Sequence, residues 1–176
     1  MSSRLLNQII SAILMCVFVT GCVSIERTRQ TDHALADAVP QVKQCIAKGW
    51  QRVVLPVDGV RRELLWKAST GPWSKGTIIV LHGGGGQHFQ WCVANAPVVA
   101  PQVKFSELAV AEGFAVFLLN STDRVTDNEG RVCGKVWDDE VRNRPNLDMP
   151  FIGEVIREVI PRLRPEGSRK EIFLTG

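Results

Sequence analysis

Two short stretches of β-branched and apolar residues frame this chain. Residues 77–81 read Thr-Ile-Ile-Val-Leu and residues 114–119 read Phe-Ala-Val-Phe-Leu-Leu. Such runs fit strands buried on both faces, the habit of a parallel sheet flanked by helices. Between them, residues 103–112 place Phe105, Leu108 and Ala109 on one helical face, and Gly113 supplies a stop. Farther on, Ile152, Val155, Ile156, Val159, Ile160 and Leu163 recur at three- and four-residue spacing, which predicts an amphipathic helix. Asp148 is its expected N-cap. Pro161 lacks an N–H and should kink or end the helix about one turn before its finish. Pro165 and Gly167 mark the stop, and residues 172–174 form a last strand.

Upstream, residues 40–48 fit a short helix with Pro40 at its start and Gly49 as its stop. Residues 51–56 and 60–67 read as two strands around Asp58-Gly59, a hairpin signal. Trp66 and Trp73 read as packing residues. Residues 120–147 are polar and read as a long solvated loop, in which Trp137 packs over a site or caps the core. Its Asp123, Asp127, Asn128, Glu129, Asp138 and Asp139 do not follow EF-hand spacing. The order is hairpin, strand, helix, strand, helix, strand. That order predicts an α/β fold: a mostly parallel sheet with helices on both faces.

The amino terminus has its own pattern. Arg4 precedes an apolar segment, residues 9–20, too short to span a bilayer comfortably. It ends in Val19-Thr20-Gly21-Cys22, which resembles a bacterial lipobox. The resemblance implies cleavage after residue 21 and a lipid on Cys22; an ordinary signal peptide or an uncleaved anchor is the alternative. Residues 22–39 are polar and read as a tether, leaving 40–176 as the folded domain. The expected place is the cell envelope, with the membrane engaged through the lipid.

The chain has 176 residues, suited to one domain, and 45% of them are apolar, enough for a core. Its net charge of +3 is spread along the chain, so no nucleic-acid footprint is seen. Of the cysteines, Cys16 lies in the leader and Cys22 would carry lipid. Cys45, Cys92 and Cys133 remain. An exported domain can keep disulfides. Cys92 and Cys133 both follow expected strand ends and form the expected pair, with three separate thiols as the alternative. No Cys-x-x-Cys appears, and the spacing of His82 and His88 does not suggest a metal site.

The most telling stretch follows the first apolar run: His82-Gly83-Gly84-Gly85-Gly86-Gln87. Glycines let the backbone turn with positive φ and approach a ligand closely. At the end of a buried strand they put N–H donors at the carboxyl edge of the sheet, where open α/β sheets bind ligands. No Gly-Lys-Ser/Thr follows, so this is not a phosphate-binding P-loop. The stretch resembles the His-Gly-Gly-Gly oxyanion loop of α/β-hydrolases, in particular the polyhydroxybutyrate depolymerase and feruloyl esterase-like branch. The terminal Glu171-Ile172-Phe173-Leu174-Thr175-Gly176 is similar to the strand entering that family's Gly-x-Ser-x-Gly elbow.

The resemblance implies a serine esterase acting on a small or polymeric ester without a cofactor. It gives the donating N–H groups to Gly84 and Gly85, then Gly83, with His82 shaping the loop and Gly86 mattering least. His88 would be a loop histidine near the site mouth, because the family's triad runs Ser, Asp or Glu, then His. All three would fall after Gly176, so this chain is expected to be a truncated hydrolase fold, inactive as it stands. Two rivals stay open: a non-catalytic envelope lipoprotein that binds a ligand or partner, and a peptidase or lactone hydrolase on the same fold.

Overall fold

Strand β3 (Gly76–Leu81) lies between β4 (Phe114–Leu119) and β7 (Ile172–Thr175) and runs parallel to both. These elements belong to a computed structural model that describes residues 39–126, 132–138 and 145–176, with backbone alone at 123–126 and 132–133. The leader, Cys22 and the tether as far as residue 38 lie outside the described residues, as do Asp127, Asn128, Glu129 and Asp139.

The chain opens with helix α1 (Pro40–Ala47) and a hairpin of β1 (Gln51–Val57) and β2 (Val60–Lys67). Asp58 and Gly59 both take positive φ, 48° and 76°, as a two-residue hairpin turn of the primed type requires. The hairpin does not stand apart. Strand β2 pairs antiparallel with β4, Leu64 opposite Leu119 and Leu65 opposite Leu118. The strand order is β1-β2-β4-β3-β7. The fold is therefore α/β, but the sheet is mixed, with two parallel and two antiparallel pairings. The mostly parallel sheet expected from the sequence is corrected on this point. The reason lies in β2, whose Leu64 and Leu65 are both fully buried, so this hairpin strand fills an interior position of the sheet.

Side chains alternate across the sheet, as strand geometry demands. Ile79, Ala115, Phe117, Leu119 and Leu64 pack on one face with Trp73 and with Phe151, Val155, Val159 and Ile160. Those last four come from a helical stretch made of α3 (Met149–Glu154), a π-helical turn (Val155–Val159) and α4 (Ile160–Leu163). The π-turn ends at Val159, two residues before Pro161. A widened turn there accommodates the missing N–H, so the helix adapts to the proline and ends at Leu163. Ile78, Val80, Val116 and Leu118 face the other way. Helix α2 (Ala100–Ala111) packs along β4 on that side and buries Val103, Ser106, Ala109 and Val110.

Two expectations change here. Residues 120–147 are not one structureless loop, since β5 (Asp123–Thr126) and β6 (Val132–Val136) form an antiparallel pair within them. Asp148 makes no capping bond to its own helix. Its carboxylate instead takes Arg62 Nη2 at 2.5 Å and the Asp138 N–H at 2.7 Å. The side chain of Asn146 accepts the Met149 N–H at 2.8 Å in its place.

The cysteines pair differently from expectation. Cys45 of α1 and Cys92 form a disulfide, with Cα atoms 5.6 Å apart. Cys92 is thus not available to Cys133, whose side chain lies outside the described residues. The pairing joins α1 to the short 3₁₀ helix His88–Trp91, a tertiary neighbour that local sequence does not reveal.

Candidate functional site

The carboxyl ends of β3, β4 and β7 come together, and each leads into residues of chemical interest. From β3 the chain passes into His82 and the four glycines. From β4 it passes into Asn120 and Ser121. From β7 it reaches Gly176, where a Cβ would lie 2.6 Å from the Leu81 carbonyl oxygen, so the two strand ends touch.

The glycines form a turn closed by the Gly86 N–H on the Gly83 carbonyl at 2.9 Å. Only Gly85 of the four has positive φ, 75°, at the third position of the turn, as in type II geometry. The turn is fastened to β6. Gly85 N–H donates to the Lys135 carbonyl at 2.8 Å, and Lys135 N–H donates to the Gly86 carbonyl at 3.1 Å. Gly134 permits this approach, since a Cβ there would lie 1.9 Å from the Gly85 carbonyl oxygen.

This pairing divides the three expected donors, Gly83, Gly84 and Gly85. The N–H of Gly85 is occupied by Lys135 and does not face a ligand in this structure. Those of Gly83 and Gly84 make no hydrogen bond among the described residues, and both residues are exposed. A Cβ would meet nothing within 4 Å at Gly83 and only Val136 Cγ1, at 4.0 Å, at Gly84.

His82 is buried beneath the turn. Its Nδ1 lies 2.9 Å from the Gly83 carbonyl oxygen, and its Nε2 accepts the Ser121 N–H at 3.3 Å. An acceptor at Nε2 requires the proton on Nδ1, so the ring is neutral and donates to Gly83. Burial pushes its pKa below the ordinary imidazole value, against the pull of the Gly83 carbonyl. Trp137 donates its Nε1–H to the His82 carbonyl at 2.7 Å, and its ring lies 5.0 Å from the imidazole. Trp137 also packs against the core, so it joins turn and core.

His88 is not at the site mouth. It is buried, with Nε2 2.9 Å from Glu63 Oε1, because the 3₁₀ helix that follows the turn folds it onto β2. Arg52 holds the other Glu63 oxygen through Nε at 2.9 Å and through Nη2. Burial alone would raise the Glu63 carboxyl, but His88 and Arg52 outweigh it and hold the pKa at about 2. Burial pushes His88 down despite the carboxylate beside it. The pair is a neutral imidazole against an ionised carboxylate.

Sequence reading missed the neighbourhood of Ser121. A polar cavity of about 170 Å³ opens there, lined by Arg61, Arg62, Glu63, Asn120, Ser121 and Lys135 among others. The available signal was the Asn120-Ser121 pair directly after a buried strand, at the edge where α/β sheets bind ligands. No serine hydroxyl bonds to a histidine among the described residues. Ser121 Oγ is buried without a partner, Ser106 Oγ likewise, and Ser168 Oγ accepts the Trp73 N–H at 2.9 Å. No group of three His, Cys, Asp or Glu suited to a metal occurs among the described residues. Nor is any described helix long and apolar enough to cross a membrane.

No family model matches the chain, and no curated protein matches it. Among solved structures it is similar to an aCif variant, at 17% identity and a TM-score of 0.34, over 76% of this chain and 39% of that one. The chain thus spans about two fifths of that protein's length. At this score and identity the likeness fixes neither fold nor function.

Proposed function

We propose that the domain is the oxyanion-binding part of an exported serine-type ester hydrolase. One observation carries the reading. The Gly83 and Gly84 N–H groups make no hydrogen bond among the described residues and lie at the carboxyl end of β3, beside the end of the strand that resembles the entry to a nucleophile elbow. Carbonyl attack places negative charge on an oxygen. Fixed N–H donors there are worth about 2.7–4 kcal/mol each, by analogy with measured oxyanion-hole deletions. The donors are Gly83 and Gly84, since Gly85 is spent on Lys135. His82 sets the turn through Gly83 and takes no part as base, because both ring nitrogens are engaged. The nucleophile, acid and base follow Gly176 in this reading. The Cys45–Cys92 disulfide supports export, since such bonds persist in oxidising compartments. Lipidation of Cys22 would hold the domain at the envelope membrane.

The test is hydrolysis of p-nitrophenyl esters by the 176-residue chain and by a form continued through a downstream Ser-x-Gly. The longer form should turn over ester, and Gly84→Val should lower that turnover about 10²-fold or more with the fold intact. Full activity in Gly84→Val overturns the assignment. So does turnover by the 176-residue chain that Ser121→Ala abolishes, which would put the nucleophile elsewhere. Fatty-acid labelling that persists in Cys22→Ser overturns the anchor. A second reading, a ligand-binding envelope protein without catalysis, is favoured by the polar cavity at Ser121.

A further inference from the structure

The two edges of the sheet are built differently. The order β1-β2-β4-β3-β7 leaves β1 and β7 with one neighbour each among the described residues. An open edge offers its N–H and C=O groups to any strand that comes alongside, and proline is one of the usual protections. Strand β1 carries Pro56 opposite Arg61, one step from the Val57–Val60 pair that closes the turn. In a two-residue hairpin that closing pair exchanges both hydrogen bonds, so the nitrogen of Pro56 faces out of the sheet and has no proton to give. Strand β7 has no such residue. It reads Ile172-Phe173-Leu174-Thr175, without proline or charge.

The side chains of β7 are apolar on both faces. Phe173 aligns with Ile78 and Leu174 with Ile79, so the two point to opposite sides of the sheet. Ile78 and Ile79 are buried, whereas Phe173 is 51% and Leu174 60% exposed. Consecutive apolar residues uncovered on both faces mark an interior strand that lacks a neighbour. On the side of α2, an open groove of about 250 Å³ lined by Trp91, Phe105 and Thr175 continues the apolar surface.

We propose that β7 pairs antiparallel with β7 of a second copy of this chain, joining two five-stranded sheets across a two-fold axis. A second copy supplies the same uncharged, β-prone strand, and two-fold pairing closes the open edge of both copies at once. Pairing of β7 with β1 of another copy would instead build an open-ended row of sheets, and Pro56 opposes it. A pairing centred on Phe173 sets it against the partner's Phe173 on one face and sets Ile172 against the partner's Leu174 on the other. Apolar groups then meet apolar groups on both faces. Charge does not oppose the contact. Arg169 donates to Glu171 through Nε at 3.1 Å and Nη2 at 2.5 Å, and the two copies of Lys170 stand at opposite ends of the paired strands. The proposal stands without the esterase reading, because association is measured in the absence of any ester.

The test is size exclusion with light scattering on the 176-residue chain, in one nonionic detergent throughout. A four-residue edge is a small interface and gives a weak dimer, so samples are compared at about 10 µM and about 200 µM. The protein mass should move from one chain toward two across that range. Phe173→Lys and Leu174→Lys should each hold it at one chain. Met149→Lys changes an exposed apolar residue on the helix that packs beside β1, and should leave the dimer as in the parent. A parent of one chain's mass at both concentrations overturns the proposal. So does a dimer that survives both β7 variants, or one lost equally in Met149→Lys. Growth beyond two chains overturns the closed pairing. Should the β7 variants fail to fold, deuterium exchange on the parent decides. Amides of residues 172–175 should exchange more slowly at the higher concentration, and rates independent of concentration sink the pairing.

Discussion

The N–H of Ser121 donates to Nε2 of His82 at 3.3 Å, across the adjacent ends of β4 and β3. This one bond fixes the imidazole tautomer, and the tautomer in turn supplies the donor that meets the Gly83 carbonyl. The geometry of the glycine turn is therefore set partly from the neighbouring strand. His82→Phe would keep much of the ring volume but strand a buried N–H and remove the donor to a carbonyl. The expected cost is about 1–3 kcal/mol. His82→Gln, which retains a donor and an acceptor, should recover part of it. Thermal melting of the two variants beside the parent checks this, and equal melting of all three would remove the role given to His82.

Stability should fall as pH falls through the imidazole range. His82 and His88 both titrate below their ordinary value of 6.5 in the folded state, chiefly because they are buried. The unfolded chain then binds more protons than the folded one below pH 6.5. Their contribution is fully present above that pH and is lost on acidification toward the folded values. Glu63 has the same sign in a lower window, present above its ordinary 4.5 and lost as pH falls toward about 2. Urea midpoints at about pH 8 and about pH 5.5 isolate the imidazoles. A midpoint that stays level or rises on acidification contradicts the buried neutral state of both rings.

Much of this arrangement was legible in the chain. The short β-branched and apolar runs at 77–81 and 114–119 became β3 and β4, since an interior strand of a sheet covered on both faces hides consecutive side chains. The α/β-hydrolase resemblance implies β3 between β4 and β7, and that is where it lies. The Asp58-Gly59 turn was legible because so few residues accept positive φ. What was not legible depends on contacts distant in sequence. His88 reads as polar and loop-bound until Glu63, 25 positions away in the chain (88 − 63), is seen on the strand beneath it. The Cys45 partner, the reassignment of Asp148 from cap to Arg62 and the fastening of Gly85 to Lys135 are of the same kind. In each case tertiary geometry redirected a group whose local role looked settled.

The disulfide offers a clean discrimination. Its loop spans 47 residues, for which the chain-entropy account gives about 4 kcal/mol of stabilisation. Cys45→Ser and Cys92→Ser should each lower the melting temperature, and reduction should do the same to the parent. Cys133→Ser should leave both the melting temperature and the shift between reduced and non-reduced mobility unchanged. A mobility shift that disappears in Cys133→Ser but survives in Cys45→Ser would restore the pairing expected from sequence.

Glycine substitutions should rank in an order that the sequence alone reverses. From the motif, Gly84 and Gly85 are the sensitive positions and Gly86 the tolerant one. In the structure, a Cβ on Gly86 would lie 2.9 Å from both the Gly83 carbonyl oxygen and Gln90 Oε1. The first of these is backbone and cannot swing aside. Gly134, outside the motif, is tighter still, with Gly85 backbone atoms at 1.9, 2.4 and 2.7 Å from the added carbon. Gly134→Ala must push β6 from the turn and break the two bonds between Lys135 and the Gly85–Gly86 backbone. Overpacking of this kind costs about 1–3 kcal/mol and occasionally more. Gly83→Ala and Gly84→Ala meet open space and should change stability by no more than about 0.5 kcal/mol, whatever they do to ester turnover. Melting of the four alanine variants gives the ranking directly. Hydrogen exchange at the Gly85 amide adds the mechanism, since its protection should drop in Gly134→Ala and persist in Gly83→Ala. A Gly134→Ala protein with parental melting and a protected Gly85 amide would mean that β6 does not hold the turn.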